Sequence, residues 1–382
     1  MSATVQRAPL VICINELDRG GAEKALVNIS IGLRDLGWPV TVVSLRDRGP
    51  LAASLEEAEI PIHALGCGGM TDIRVLGRLT GLLRTVKPQI LLTFLHQAGF
   101  WGRLAARRAG IPITVCGVRV ADRRSWVRWS DRLTSGRVTH YIAVSRNVAQ
   151  THAQLCGLLP EQISSIPNGI DCPEQQPKPD RPRPAKVLFL GRLTAQKDPA
   201  NLLRAWQDLP EEIRSATELH FVGDGDLSEA IRSAVPNALR SQVLLHGHQA
   251  DAVPYLSEAT ILVLPSRWEG MPNAVLEAMA TGLPVIATQV DGTEELIPDD
   301  RFGWLVPPRD TAQLTAAMVE ALSSPEDRYS RAAAALKRVR SEFTWERAVQ
   351  QYDQRLLQLL ASRQDTKSSQ HPETGRREHH SD

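Results

Sequence analysis

The sequence predicts an α/β protein built from two doubly wound domains, and three observations carry that expectation. Its 382 residues exceed one comfortable core and suit two domains of about 150–200 residues each. Short apolar runs alternate with helical periodicity, the pattern of βα units laid on a parallel sheet. A proline-rich break falls near the middle, and the same alternation restarts after it.

In the first half, strands are expected at 10–14 (LVICI), 40–45, 90–95 (ILLTFL), 112–118 and 139–144. A helix is expected over 22–36, where Ala22, Leu26, Ile29, Leu33 and Leu36 share one face at helical spacing. Residues 172–184 (CPEQQPKPDRPRP) hold five prolines and no apolar period, the composition of a linker. Beyond it, strands are expected at 186–191, 217–222, 242–245, 260–264 and 283–287, and helices at 310–323, 327–340 and 344–361. The domains are therefore 1–171 and 185–343. The polar tail 362–382 is expected to be disordered, with His379 and His380 solvated rather than metal-bound.

Composition narrows the function. Hydrophobic residues make up 42%, charged residues 23%, and the formal charge is +1. That balance argues against nucleic-acid binding driven by global charge. Cys13, Cys67, Cys116, Cys156 and Cys172 are scattered without a C-x-x-C pair, as expected of reduced thiols rather than a disulfide framework or zinc site. The first apolar run, 8–14, is broken at once by Asn15 and Glu16 and reads as a strand, not a leader. No window approaches 18 uninterrupted apolar residues. The expected location is cytoplasmic.

Ligands of doubly wound sheets sit outside the carboxyl ends of the strands, and the suggestive loops all leave such ends. In WEGMPNAVLEA (268–278), Pro272 suits a first helical position. This puts Glu269 outside the helix and Glu277 inside it, about two turns away. The pair suits the two ends of one elongated ligand, with free helix N–H groups facing its middle. In LDRGGAEK (17–24), Gly20 and Gly21 permit close approach to a ligand or serve as a structural turn. They lack G-x-G-x-x-G spacing. In LFLGRLTAQKD (188–198), Arg192 and Lys197 fit a diphosphate or form a solvated pair, and Asp198-Pro199 reads as an N-cap with Pro at N1. Asp224-Gly225-Asp226 matches a metal-binding D-x-D by letters, but the Gly-Asp-Gly run after a strand reads as a turn.

Taken together, GGAEK, PNGID (167–171), GRLTAQKD, VGDGDL and PSRWEGMPNAVLEAMATGLPVIAT (265–288) resemble glycosyltransferase family 4, over about 20–361 and in the family's order. The resemblance implies the GT-B fold, two Rossmann-like domains facing a central cleft, with the 344–361 helix crossing back onto the first domain. It implies a retaining, metal-independent transferase that takes a UDP- or GDP-sugar, needs no further cofactor, and passes the sugar to a glycan or lipid-linked acceptor. Glu277 would hold the ribose and Glu269 the sugar hydroxyls. Arg192 and Lys197 would hold the diphosphate, Gly270, Met271 and Asn273 would line phosphate and sugar, and Gly20 and Gly21 would close from the first domain. The loop 246–249, with His248, corresponds to the base region or to a structural strand end.

One departure is visible. Family members often carry a His at the end of the strand matching 112–118, where this chain has Gly117-Val118-Arg119. Arg119 and His96 are the candidates for that place, each with a structural alternative. Residues 101–137 add nine arginines against Asp122 and Asp131, with Trp101, Trp126 and Trp129. That mixture suits an anionic membrane surface or lipid-pyrophosphate acceptor, or a solvated basic face. A membrane contact there would place the protein at the inner membrane face. Rival readings are a sugar-nucleotide epimerase or phosphorylase of the same architecture, and a two-domain sugar-binding protein.

Overall fold

A computed structural model of the chain describes residues 6–120, 125–173 and 184–370. The first sheet holds seven strands: β1 (Leu10–Ile14), β2 (Val40–Ser44), β3 (Ile62–Ala64), β4 (Ile90–Phe94), β5 (Ile113–Val118), β6 (His140–Ala143) and β7 (Ile163–Ser165). The second holds six: β8 (Ala185–Leu190), β9 (Thr217–Val222), β10 (Val243–Leu245), β11 (Ile261–Leu264), β12 (Val285–Thr288) and β13 (Trp304–Val306). Helices α1 (Gly21–Asp35), α2 (Ala52–Glu57), α3 (Arg74–Val86), α4 (His96–Ala109), α5 (Ser125–Thr134) and α6 (Arg146–Cys156) accompany the first sheet. With the second come α7 (Pro199–Gln207), α8 (Glu211–Arg214), α9 (Ser228–Ala234), α10 (Val253–Glu258), α11 (Asn273–Ala280), α12 (Asp291–Leu296), α13 (Thr311–Ser323) and α14 (Pro325–Glu342). The last, α15, runs Trp345–Gln370.

Both sheets are parallel throughout, in the orders β3-β2-β1-β4-β5-β6-β7 and β10-β9-β8-β11-β12-β13. Each reverses direction at one place, between β1 and β4 in the first and between β8 and β11 in the second. Crevices open at such switch points, where consecutive loops diverge to opposite sides. The loops leaving β1, β4, β8 and β11 carry Gly20 and Gly21, His96, Arg192 and Lys197, and Glu269 respectively. Topology alone thus gathers these candidates from four separate stretches of sequence.

The central strands form because they are buried on both faces. β1, β4 and β11 show no exposed position, so near-continuous Leu, Ile and Val runs are what the site demands. Three strands escaped the sequence reading: β3, β7 and β13, three residues each. β3 and β7 are edges of the first sheet, half-wet positions that leave no apolar run to detect, while β13 (WLV) is an edge of the second whose apolar run is only three residues long.

α15 belongs to the first domain although it closes the sequence. Val349, Tyr352, Leu356 and Leu360 join one core with Leu10, Ile12, Leu26 and Val42. The Asp353 carboxylate accepts from Trp38 Nε1 at 2.8 Å and from Arg7 Nε at 2.9 Å. The helix continues nine residues past 361, so 362–370, expected as disordered tail, is helical instead. Residues 371–382, with His379 and His380, lie outside the described residues, as does 174–183 of the expected linker. Among the described residues no helix is long and apolar enough to cross a membrane.

Candidate active site

The centre of the site is a carboxylate in a bend. Glu269 follows β11, is 5% exposed, and its Oε1 accepts from Lys197 Nζ at 2.5 Å and from Ser266 Oγ at 2.6 Å. Lys197 comes from the loop after β8, 72 residues away, so the ion pair spans the switch point of the second sheet. A carboxylate buried this far requires a charge partner and hydrogen bonds, and both are present. The sequence reading gave Lys197 to phosphate and Glu269 to sugar and missed their pairing.

Asp198 sits next to Lys197 at the N-cap position of α7, but its side chain does not cap. Its backbone is left-handed (φ 48°), and its carboxylate takes Arg267 Nε at 2.8 Å and Nη2 at 3.0 Å. A bidentate guanidinium pair outweighs one capping bond. The consequence is positional: Asp198–Arg267 ties the loop bearing Lys197 to the loop bearing Glu269.

α11 starts one residue later than expected. Pro272 is its N-cap and Asn273 its first residue, which places Glu277 fifth in the helix. Burial pushes the Glu277 carboxyl up, while Lys24 of the first domain and Lys197 of the second pull it down. Glu277 therefore feels cations from both domains.

The first domain closes on α11 through small and amide side chains. Asn168, 5% exposed, donates from Nδ2 to Asn273 Oδ1 at 2.9 Å, and its backbone N–H meets Met271 Sδ at 3.3 Å. A Cβ on Gly21 would lie 2.8 Å from Asn273 Nδ2. A Cβ on Gly270 would overlap the Arg119 carbonyl oxygen, so backbone meets backbone there and only glycine fits. Farther out, Asn147 Nδ2 donates to Glu294 at 3.1 Å and Arg146 N–H to Glu295 at 2.7 Å. Asn168 had no role in the sequence reading, although the PNGID signature contained it.

Arg119 sits at this seam. Its guanidinium donates to Asn168 Oδ1 and stacks over Phe94 with 5.6 Å to the ring centroid. Burial pulls its pKa down, opposed by Tyr352 and Glu23. These side-chain contacts all lie within the first domain, and through Asn168 they adjoin the bond to Asn273 of α11. His96 opens α4, where Leu95 is left-handed (φ 70°) and Asn15 Oδ1 caps the Ala98 N–H at 2.8 Å. Its ring turns toward α5: Nδ1 lies 3.6 Å from Asp131, Nε2 3.4 Å from Ser130 Oγ, and Trp126 packs edge-on at 5.1 Å. The structure thus joins His96 to α5 and not to the Glu269 cluster.

The remaining candidates make no bond to Glu269 or Lys197 among the described residues. Arg192 and His248 are exposed. In the 246–249 loop it is His246 that turns inward, stacked on His220 with their ring nitrogens 3.0 Å apart. Gly20 leaves room for the Glu23 carboxylate. In the D-x-D stretch, Asp224 accepts from Gly225 N–H at 2.7 Å and Ser228 Oγ at 2.5 Å, the bonding of a turn. Arg123 and Arg124 of the basic stretch lie outside the described residues.

Comparison with known proteins places this geometry. Residues 19–174 match the model described as Glycosyltransferase Family 4 and residues 184–324 the one described as Glycosyl transferases group 1. The UDP-Gal:alpha-D-GlcNAc-diphosphoundecaprenol alpha-1,3-galactosyltransferase of Escherichia coli is 28% identical over 300 residues, 72% of this chain and 78% of that one. A glycogen synthase of Mycobacterium tuberculosis is 30% identical over 250 residues, 63% of this chain but 58% of its own. Among solved structures, HepE of Anabaena in complex with UDP superposes with a TM-score of 0.79 at 19% identity, over 91% of this chain and 99% of that one. Sucrose-phosphate synthase of Thermosynechococcus elongatus follows at 0.76 and 20%, over 93% and 100%.

Proposed function

We propose, since the chain belongs to glycosyltransferase family 4 and has the GT-B fold, that it is a retaining enzyme transferring a sugar from UDP to a lipid-linked or glycan acceptor. The product would enter a cell-surface polysaccharide or glycolipid. The observation that carries the reading is Glu269, fixed by Lys197 and Ser266 just ahead of α11, the helix that bears Glu277. UDP as the nucleotide is supported by a relative named for UDP-Gal and by HepE, whose structures hold UDP and UDP-glucose.

The chemistry follows from what surrounds that carboxylate. The bond from the anomeric carbon to the diphosphate breaks and the bond to the acceptor oxygen forms on the same face. The acceptor proton passes to the departing phosphate oxygen, so no separate base is needed. Lys197, Arg192 and the N–H groups of Gly270 and Met271 at the head of α11 stabilise the negative charge that develops on UDP. Glu269 orients the sugar hydroxyls and Glu277 the ribose. No metal is required in this scheme, because cations and helix N–H groups supply the positive charge.

A thermal-shift panel tests the donor. UDP-sugars at a hundred times Kd are expected to stabilise the protein by about 2.7 kcal/mol, and GDP-sugars much less. Anomeric NMR of the product should show the donor's configuration kept; inversion would remove the retaining mechanism. Conversion of the donor to its epimer with no acceptor present would replace the transferase by an epimerase. Excess EDTA should leave turnover intact, since Asp224 already serves its turn. Activity lost to EDTA and regained with manganese would restore a metal role to the D-x-D acids.

A further inference from the structure

Helix α5 has two faces with different company. Its inner face is buried against the domain: Val127 and Thr134 are covered, Ser130 approaches His96, and Asp131 accepts from Arg103 at 2.5 Å. Its outer face carries Trp129 and Leu133, 68% and 57% exposed, with Trp126, 49% exposed, at the rim where its ring also packs against His96. These sit at i, i+3 and i+7, one stripe on a helix. Exposed apolar side chains occur singly on any surface; three within ten residues, two of them Trp, form a patch.

The charges on this patch have one sign. Arg128 and Arg132 are exposed on α5, and Arg137 reaches back from the turn beyond it to the Leu133 carbonyl at 3.3 Å. Asp131 is the single acid of 125–137, and it is turned inward. Among residues 125–137 the outward side chains are thus Trp, Leu and Arg with no carboxylate beside them.

We propose that the outer face of α5 lies in the surface of an anionic bilayer, with Trp129 and Leu133 at the boundary of headgroups and acyl chains and Arg128, Arg132 and Arg137 against lipid phosphates. Two-fold self-pairing of the helix would bring equivalent arginines of both copies together, which disfavours a second copy as the occupant. The N-terminal end of α5 touches His96 at the strand-end side of the first sheet. A lipid-linked acceptor held in that bilayer would therefore arrive on the cleft side of the domain. This last consequence rests on the transferase reading; the membrane contact does not.

Co-sedimentation of the full chain with vesicles tests it, without donor or acceptor. Binding to phosphatidylglycerol–phosphatidylcholine vesicles is expected to exceed binding to phosphatidylcholine alone, and to fall as salt rises. Arg128→Ser with Arg132→Ser should weaken partitioning by about 20- to 30-fold, taking roughly fivefold per arginine. Trp129→Ser with Leu133→Ser should abolish it while transfer to a water-soluble acceptor stays at the wild-type level. Equal binding to both vesicle types, or a Trp129→Ser, Leu133→Ser protein that binds like the parent, overturns the proposal. So does a dimer in analytical centrifugation that this double variant dissolves, which would give the stripe to a second copy. Vesicle binding that persists in a protein showing no sugar transfer would leave this surface standing and sink the transferase reading instead.

Discussion

Leu356→Ala is expected to unfold the first domain well before the second. Leu356 is fully buried, and with Val349, Tyr352 and Leu360 it is the part of α15 that packs with α1 into the first domain's core. Truncating a buried leucine to alanine costs about 2–5 kcal/mol, through lost burial and the cavity left behind. Whole proteins are stable by only about 5–15 kcal/mol, so the loss is a large share. Two domains need not melt together, which makes the location of the damage measurable. Trp38, whose Nε1 is bound by Asp353 of α15, reports the first domain, and Trp206, buried in the second core, reports the other. In urea titrations followed by 19F NMR of protein carrying 5-fluorotryptophan, the folded resonance of Trp38 should be lost at lower urea while that of Trp206 stays. Removing 371–382 should move neither. Coincident shifts of both would mean that α15 stabilises the protein as a unit.

What the sequence disclosed of this architecture depended on how local each signal is. A strand buried on both faces announces itself through a short, largely apolar run, so β1 (LVICI), β4 (ILLTF) and β11 (ILVL) were legible to within two positions. β3 and β7 are half-wet edges with no such run. Helix interiors were legible by period, and helix ends less so: Pro272 shifted from N1 to N-cap, and Asp198 gave up capping for Arg267. That exchange is tertiary, because Arg267 lies 69 residues away.

The site divides in the same way. Glu269, Glu277, Lys197 and the two glycines stand out in the sequence because acids and cations in Gly- and Pro-marked strand-end loops are suggestive wherever they occur. Their pairings are not written locally. The bond between Lys197 and Glu269 spans 72 residues, and that between Asn168 and Asn273 spans 105. Only the switch-point topology, once known, brings those loops together. For His96 and Arg119 the opposite held: their positions after β4 and β5 are suggestive, yet neighbours unseen in sequence, Asp131 on α5 and Asn168 near the domain seam, engage them.

The two glutamates should fail differently when changed to glutamine. Glu277 lies inside α11, where Lys24 and Lys197 act on its charge, and in the proposed complex it meets the ribose, which donor and free UDP share. Glu277→Gln should weaken both by a lost charged hydrogen bond, about 1.5–3 kcal/mol or roughly ten- to a hundredfold. Glu269 meets only the sugar. Its replacement also releases Lys197 from an ion pair whose two side chains are 15% and 6% exposed, leaving the ammonium free for the diphosphate. UDP affinity of Glu269→Gln should therefore be unchanged or slightly higher. The loss should appear in kcat, about a hundredfold, because a misplaced anomeric carbon is felt most in the transition state. Calorimetric titration with UDP, set beside turnover under saturating donor, separates the two variants. If Glu269→Gln loses UDP binding as severely as Glu277→Gln, the carboxylate in the bend serves the nucleotide, and the two-ended grip on one donor is wrong.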